Sequence, residues 1–219
     1  MNKLRIYFIR HGQTRFNVLG KIQGSSDIPL TEEGIKQAYN CDIDNSIIFD
    51  KAYHSSLSRS KDTLEIICSK LNNKPDIECN DLVIERGYGV FEGLTEFNIK
   101  EKYGMIYDNW KNDENTYIQD AETIDNVVSR IKEFLNLMIS NKFKNVIVVT
   151  HSGFLFALYK YITNTGLGFR PCGVKFRNCS VQTLDVIYDE NKIIDLHFNV
   201  GSQTYIHSCR PTKTIIATP

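Results

Sequence analysis

Residues 145–150 read NVIVVT, a run with no charge and four branched aliphatic side chains in a row. Successive side chains of a strand point to opposite faces, so a strand of this kind has no face left for water. It needs cover on both sides, and helices supply that cover when strands run parallel and are joined by crossovers. Two more short runs have the same character, LRIYFI at 4–9 and FDKAYH at 49–54. Between them lie segments with the helical period. Residues 31–42 open on Thr31 as the N-cap, and Ser56 is read as the cap of a helix carrying Leu57, Leu64, Ile67, Cys68 and Leu71. Residues 98–110 place Tyr103, Ile106 and Trp110 on one side. The clearest stripe runs over 121–140, through Ile124, Val127, Val128, Ile131, Phe134, Leu135 and Met138. A further helix is expected over 153–163, a short strand and loop over 77–84, and a loop with room for one helical turn over 10–30. Residues 181–187 and 192–199 flank Asp189-Glu190-Asn191 and predict a hairpin. The expected fold is α/β, a three-layer α/β/α sandwich with a mostly parallel central sheet. One domain over 1–219 is the simplest division, since no repeat or linker interrupts it, and the tail over 201–219 has little pattern.

Composition narrows the function. Lys+Arg and Asp+Glu both number 26 in 219 residues, without the basic excess of a nucleic-acid partner. The apolar run at the N-terminus is too short for a bilayer and is followed at once by charge, so neither a membrane segment nor a signal peptide is expected. The six cysteines are scattered with no CxxC pair, which predicts reduced thiols in a soluble cytoplasmic protein rather than a zinc site.

Ligands of open parallel sheets bind beyond the carboxyl ends of the strands. Three polar clusters stand there: Arg10-His11-Gly12-Gln13-Thr14, His54-Ser55-Ser56 with Arg59, and Thr150-His151-Ser152-Gly153. Glu85-Arg86-Gly87-Tyr88-Gly89 lies between them in the sequence. Arginines beside histidines disfavour a metal cation and favour a dianion, because a guanidinium grips phosphate oxygens as a fork. A neutral imidazole nitrogen can attack phosphorus, and a carboxylic acid can protonate the departing alkoxide. No cysteine stands in these clusters, so a thiolate mechanism is not expected.

The motifs RHGQTRFN, IQGSSDIPLTEEG, SSLSRSKDT, ERGYGVFEG and THSGFLFAL occur in that order between residues 10 and 158. In order and spacing they resemble the histidine phosphatase superfamily, in its phosphoglycerate-mutase-like branch. The resemblance implies His11 as the phosphorylated nucleophile, with Arg10, Arg59 and Asn17 as phosphoryl ligands and His151 completing the pocket. It implies Glu85 as the proton donor, Gln23 and Gly24 in the loop bordering the substrate, and Ser152 with its amide facing a phosphate oxygen. It also implies no metal and no organic cofactor. The implied partner is a small phosphorylated metabolite, with homodimerisation left open.

Two activities compete within that family. ERGYG is similar to the ERHYG of cofactor-dependent phosphoglycerate mutases. Those mutases carry a Lys where this chain has Glu96, an Arg pair where it has Lys111-Asn112, and Gly-Asn where it has Ser152-Gly153. A mutase retains a doubly charged intermediate and needs the extra cations, so hydrolysis of the phosphoenzyme by water is the favoured reading. The alternatives are a mutase and an inactive regulatory member. Residues 94–120 are expected to cap the site. Elsewhere, His54 is read as structural, His197 and His207 as incidental, Arg5 as solvated, and Arg86 as pairing with either a carboxylate or substrate. Tyr88 and Trp110 are read as pocket lining or packing, and Glu92 as a lesser rival donor.

Overall fold

The computed structural model describes residues 1–113, 115–164 and 174–201. Six strands form one sheet in the order β3-β2-β4-β1-β5-β6. They are β1 (Asn2–Arg10), β2 (Lys51–His54), β3 (Ile77–Cys79), β4 (Asn145–Thr150), β5 (Val181–Asp189) and β6 (Lys192–Asn199). The first four run parallel; β5 is antiparallel to β1, and β6 returns beside it as the expected hairpin. The helices are α1 (Arg15–Val18), α2 (Glu32–Tyr39), α3 (Ser58–Ser69), α4 (Glu96–Asn112), α5 (Ile124–Ser140) and α6 (Ser152–Thr163).

The central strands divide their side chains as their pattern requires. Val146 and Val148 join Leu4, Ile6 and Phe8 under α5 and α6, while Ile147 and Val149 join Ile9 and Ala52 under α2 and α3. All of these side chains are buried completely. At about 25 cal/mol per Å² of apolar surface, each of them larger than alanine contributes roughly 1.5–3 kcal/mol, which drives helices onto both faces. The result is the three-layer sandwich with a mostly parallel sheet. A third cluster of Phe91, Ile99, Tyr107, Trp110 and Ile118 lies apart from these two, within residues 88–121.

Several local expectations shift. Thr31 caps α2 as expected, its hydroxyl accepting from Gly34 N at 3.0 Å. Ser56, however, does not cap α3, which begins at Ser58 behind Leu57. The carboxylate of Asp27 receives the Ser58 amide at 2.8 Å, so a distant loop supplies the acceptor that a local serine would have provided. Strand β2 starts at Lys51 rather than 49, because Phe49 turns into the core ahead of it. The helix expected over 121–140 begins at Ile124, after its cap Thr123, and α4 extends past both ends of 98–110 across a break at Gly104. Arg5 is not merely solvated. It faces Asp185 in the β1–β5 register, and its Nε and Nη2 donate to that carboxylate at 2.6 and 2.8 Å. Trp110 is wholly buried packing. The tail beyond 201, with His207, lies outside the described residues, as does Cys172.

Candidate active site

Strand register brings the two histidines together. Arg10 and Thr150 are partners at the ends of β1 and β4, and His11 N donates to Thr150 O at 2.9 Å. The rings of His11 and His151 follow, with centroids 5.1 Å apart. Both residues are buried. The turn after His11 presses against the start of α2, where a Cβ on Gly12 would meet Gly34 O at 2.6 Å. Only glycine allows that approach, and Gly12 N is met by Thr63 Oγ1 at 2.9 Å.

The hydrogen bonds assign the tautomers. Nδ1 of His11 lies 2.7 Å from Gly12 O. A carbonyl can only accept, so Nδ1 carries the proton and Nε2 keeps a lone pair. Burial holds the His11 pKa well below the ordinary histidine value, and the nearby charges of Arg10 and Arg59 lower it further. His11 is therefore a neutral imidazole. Nε2 of His151 lies 2.7 Å from Ser55 Oγ. That hydroxyl has no other acceptor among the described residues, so it donates, and the ring proton sits on Nδ1. Nδ1 is buried and has no hydrogen-bond partner among the described residues. The His151 pKa is also depressed, by burial first and then by His11, Arg59, Arg10 and Arg130.

Two guanidiniums stand beside these rings. Arg59 is fully buried on α3, with Nη1 donating to Ser26 O at 2.6 Å and Nη2 to Gly24 O at 2.9 Å. The loop of Gln23 and Gly24 thus holds an arginine through its carbonyls. Glu92 fastens that loop in turn: its carboxylate accepts from Ser25 N at 3.0 Å and from Tyr88 N at 2.9 Å. Gly24 sits at φ +53°, and a Cβ there would collide with Glu92 Oε1. Glu92, the lesser candidate, is thus engaged as the fastener of that loop. Arg10 Nη1 donates to Phe176 O at 2.7 Å, and Arg10 O accepts from Cys179 N at 2.8 Å.

Asn17 lies in α1, where it closes a capping box with Thr14. Its Oδ1 accepts from Thr14 N at 3.1 Å and from Asn178 Nδ2 at 3.2 Å, which fixes the amide with Nδ2 turned the other way. Gln23 Oε1 accepts from Thr14 Oγ1 at 2.7 Å. Ser152 opens α6 and is half-buried.

Glu85 is buried, and its Oε1 accepts from Arg86 N at 2.9 Å and Phe154 N at 3.2 Å. Gly153 permits that contact, since a Cβ there would stand 2.4 Å from Glu85 Oε1 and 2.7 Å from Tyr88 Oη. Burial raises the Glu85 pKa, against the opposing pull of Arg59 and of the backbone amides. The arrangement joins a neutral nucleophilic imidazole, cationic donors and a carboxyl biased toward its protonated form.

Sequence reading missed two residues here. Ser55 orients His151, and Asn178 donates to His11 O at 2.8 Å and to Asn17. Ser55 stands within a cluster already singled out, with no role given to it, whereas nothing in its own neighbourhood marks Asn178. Of the remaining candidates, His54 Nδ1 donates to Ser55 O at 2.7 Å and is structural. Arg86 Nε donates to a backbone carbonyl, Glu122 O, at 3.0 Å.

The chain is similar to known proteins. A phosphoglycerate mutase of Buchnera aphidicola, 2,3-bisphosphoglycerate-dependent, is 32% identical over 197 residues, covering 75% of this chain and 86% of that protein. A 2-carboxy-D-arabinitol-1-phosphatase of Triticum aestivum is 31% identical over 190 residues, 83% of this chain; the chain spans only 37% of that longer protein. The solved structure of a mycobacterial glucosyl-3-phosphoglycerate phosphatase matches with a TM-score of 0.77 at 20% identity, covering 91% of this chain and 99% of that one. No helix among the described residues is long and apolar enough to cross a membrane. The family model of the histidine phosphatase superfamily, branch 1, matches residues 6–199, and the chain belongs to that superfamily.

Proposed function

We propose that the protein is a metal-independent phosphomonoesterase that acts through a phosphohistidine on a small phosphorylated metabolite. The observation that carries this reading is the His11 ring, locked as the Nδ1–H tautomer by Gly12 O beside two guanidiniums. Its Nε2 attacks phosphorus, and Arg10, Arg59, Asn17 Nδ2 and His151 Nδ1–H stabilise the charge on the equatorial oxygens. The amide of Ser152 adds a donor at the start of α6. Glu85 protonates the departing oxygen, and water then releases phosphate from His11 with Glu85 acting as base.

Hydrolysis is favoured over mutase chemistry by the charge near α4. Lys111 Nζ lies 3.2 Å from Glu96 Oε2, and Tyr107 Oη donates to the same oxygen at 3.0 Å. The cation near the position of the mutase Arg pair is thus committed to the carboxylate that replaces the mutase Lys. That pairing leaves less positive charge at these two positions to retain a doubly charged intermediate. Residues 94–120 form the cap over the site in this reading, within one domain in a cytoplasmic setting. Sugar phosphates, phosphoserine and nucleotide-derived monoesters are the substrate classes to screen. The deciding experiment measures phosphate release and isomerisation side by side on 3-phosphoglycerate, with and without bisphosphate primer, and repeats phosphate release with chelator on the best ester. Phosphate release that outruns isomerisation and survives chelator supports the proposal. Faster isomerisation, or rescue of a chelated enzyme by metal, overturns it.

A further inference from the structure

Glu85 stands in an irregular segment, between a 3-10 turn at Asp81–Val83 and another at Gly89–Phe91. No strand register fixes it. A single guanidinium on α5 is bonded to the chain just ahead of it and, through Glu122, linked to the residues just after it. Arg130 Nη1 donates to Leu82 O at 2.8 Å and to Ile84 O at 3.2 Å, the carbonyls just ahead of Glu85. Its Nε and Nη2 donate to the Glu122 carboxylate at 2.8 and 2.9 Å. Glu122 then holds the residues just after Glu85: its N–H donates to Gly87 O at 2.9 Å, and its carbonyl accepts from Arg86 Nε at 3.0 Å.

We propose that Arg130, paired with Glu122, is a positioning residue that sets the place of the Glu85 carboxyl from both sides. The proposal rests on the reading of Glu85 as proton donor given above. The fork is the essential part. A planar guanidinium spans two backbone carbonyls and a bidentate carboxylate at once, and a lysine ammonium of the same charge cannot. The side chains of Arg130 and Glu122 are only 17% and 21% exposed, so the pair is shielded from water and its geometry is held. Proton donation falls steeply with misplacement of the donor, whereas attack by His11 draws on groups held by β1, β4, α1 and α3.

The test separates leaving groups. Benzyl phosphate releases an alkoxide that needs a proton, and para-nitrophenyl phosphate releases a phenolate that scarcely does. Their kcat/KM ratio does not depend on the folded fraction of the enzyme. Arg130→Lys is expected to lower kcat/KM about 30-fold on benzyl phosphate and less than about 3-fold on para-nitrophenyl phosphate. Glu122→Gln should shift the ratio the same way, about 10-fold, and decides the matter if the lysine variant does not fold. In a Glu85→Gln background, Arg130→Lys should add less than about 2-fold on benzyl phosphate, because its route to the chemistry is already gone. Equal losses on the two esters, or an undiminished further loss in that background, would overturn the proposal. Failure of the underlying reading shows separately, as a Glu85→Gln enzyme whose own loss ignores the leaving group.

Discussion

The two halves of the site are built by different means. His11 and His151 hang from the ends of adjacent parallel strands whose register runs unbroken from Arg5–Asn145 to Arg10–Thr150. Glu85 hangs from a segment without regular structure, fastened by Arg130 and Glu122 from one direction and by the first amides of α6 from another. Register, once the core is packed, leaves the strand ends nowhere else to go. The donor side depends on individual polar contacts, any of which can be removed without disturbing the sheet. Changes in the first half should therefore weaken all substrates alike, and changes in the second should discriminate by leaving group.

The largest expected effect lies in the strand-end half. His11→Ala should lower turnover by about 10⁴-fold or more on both benzyl and para-nitrophenyl phosphate, because no second nucleophile stands nearby among the described residues. Circular dichroism should show the variant folded, and near-normal turnover would remove His11 from its role. In the other half, Glu85→Gln should lower kcat/KM, which reports the phosphorylation step alone, about 10³-fold on benzyl phosphate and only about 10-fold on para-nitrophenyl phosphate. If both esters lost equally, the contrast between the halves would collapse.

Ser55→Ala is a milder probe of the strand-end half. It leaves the buried Nε2 of His151 without its partner, a loss of about 1–3 kcal/mol that corresponds to roughly 5–150-fold in rate. The loss should be the same for both esters. A selective loss on benzyl phosphate would mean that His151 serves the leaving group.

The smallest effect is in stability. Burial raises the folded-state pKa of Glu85, so the native protein binds its proton more tightly than the unfolded chain does. Stability from this group is complete below the unfolded carboxyl value of about 4.3 and is lost as pH rises through the folded value. Glu85→Gln removes that loss. Its Tm at pH 7 should exceed that of the parent, and the gain should vanish toward pH 4. A gain that persists unchanged in acid would contradict the raised pKa.

The same contrast explains what the sequence made legible. NVIVVT and LRIYFI announce their strands, and the polar residues after them had to meet at one sheet edge, so Arg10, His11 and His151 could be read directly. Thr31 advertises its helix because capping is local. Ser56 misleads because the acceptor for α3 comes from Asp27, 31 residues before Ser58 in the chain. Asn178 reaches His11 O across 167 positions, and the pairing of Arg5 with Asp185 spans 180. Arg130 reads as one more charge on an amphipathic helix until its four hydrogen bonds to three residues are seen. Periodicity records which face is buried, and it carries no trace of a single polar contact between distant segments.

The central claim is that a neutral His11 takes the phosphoryl group on Nε2. Enzyme mixed with phosphate-labelled substrate and quenched within milliseconds tests it most directly. The account predicts labelled protein, with the label on His11, stable in alkali and released by acid as a phosphoramidate is, and absent from His11→Ala. Rapid phosphate release with no labelled protein at any quench time would contradict it and point to direct attack by water.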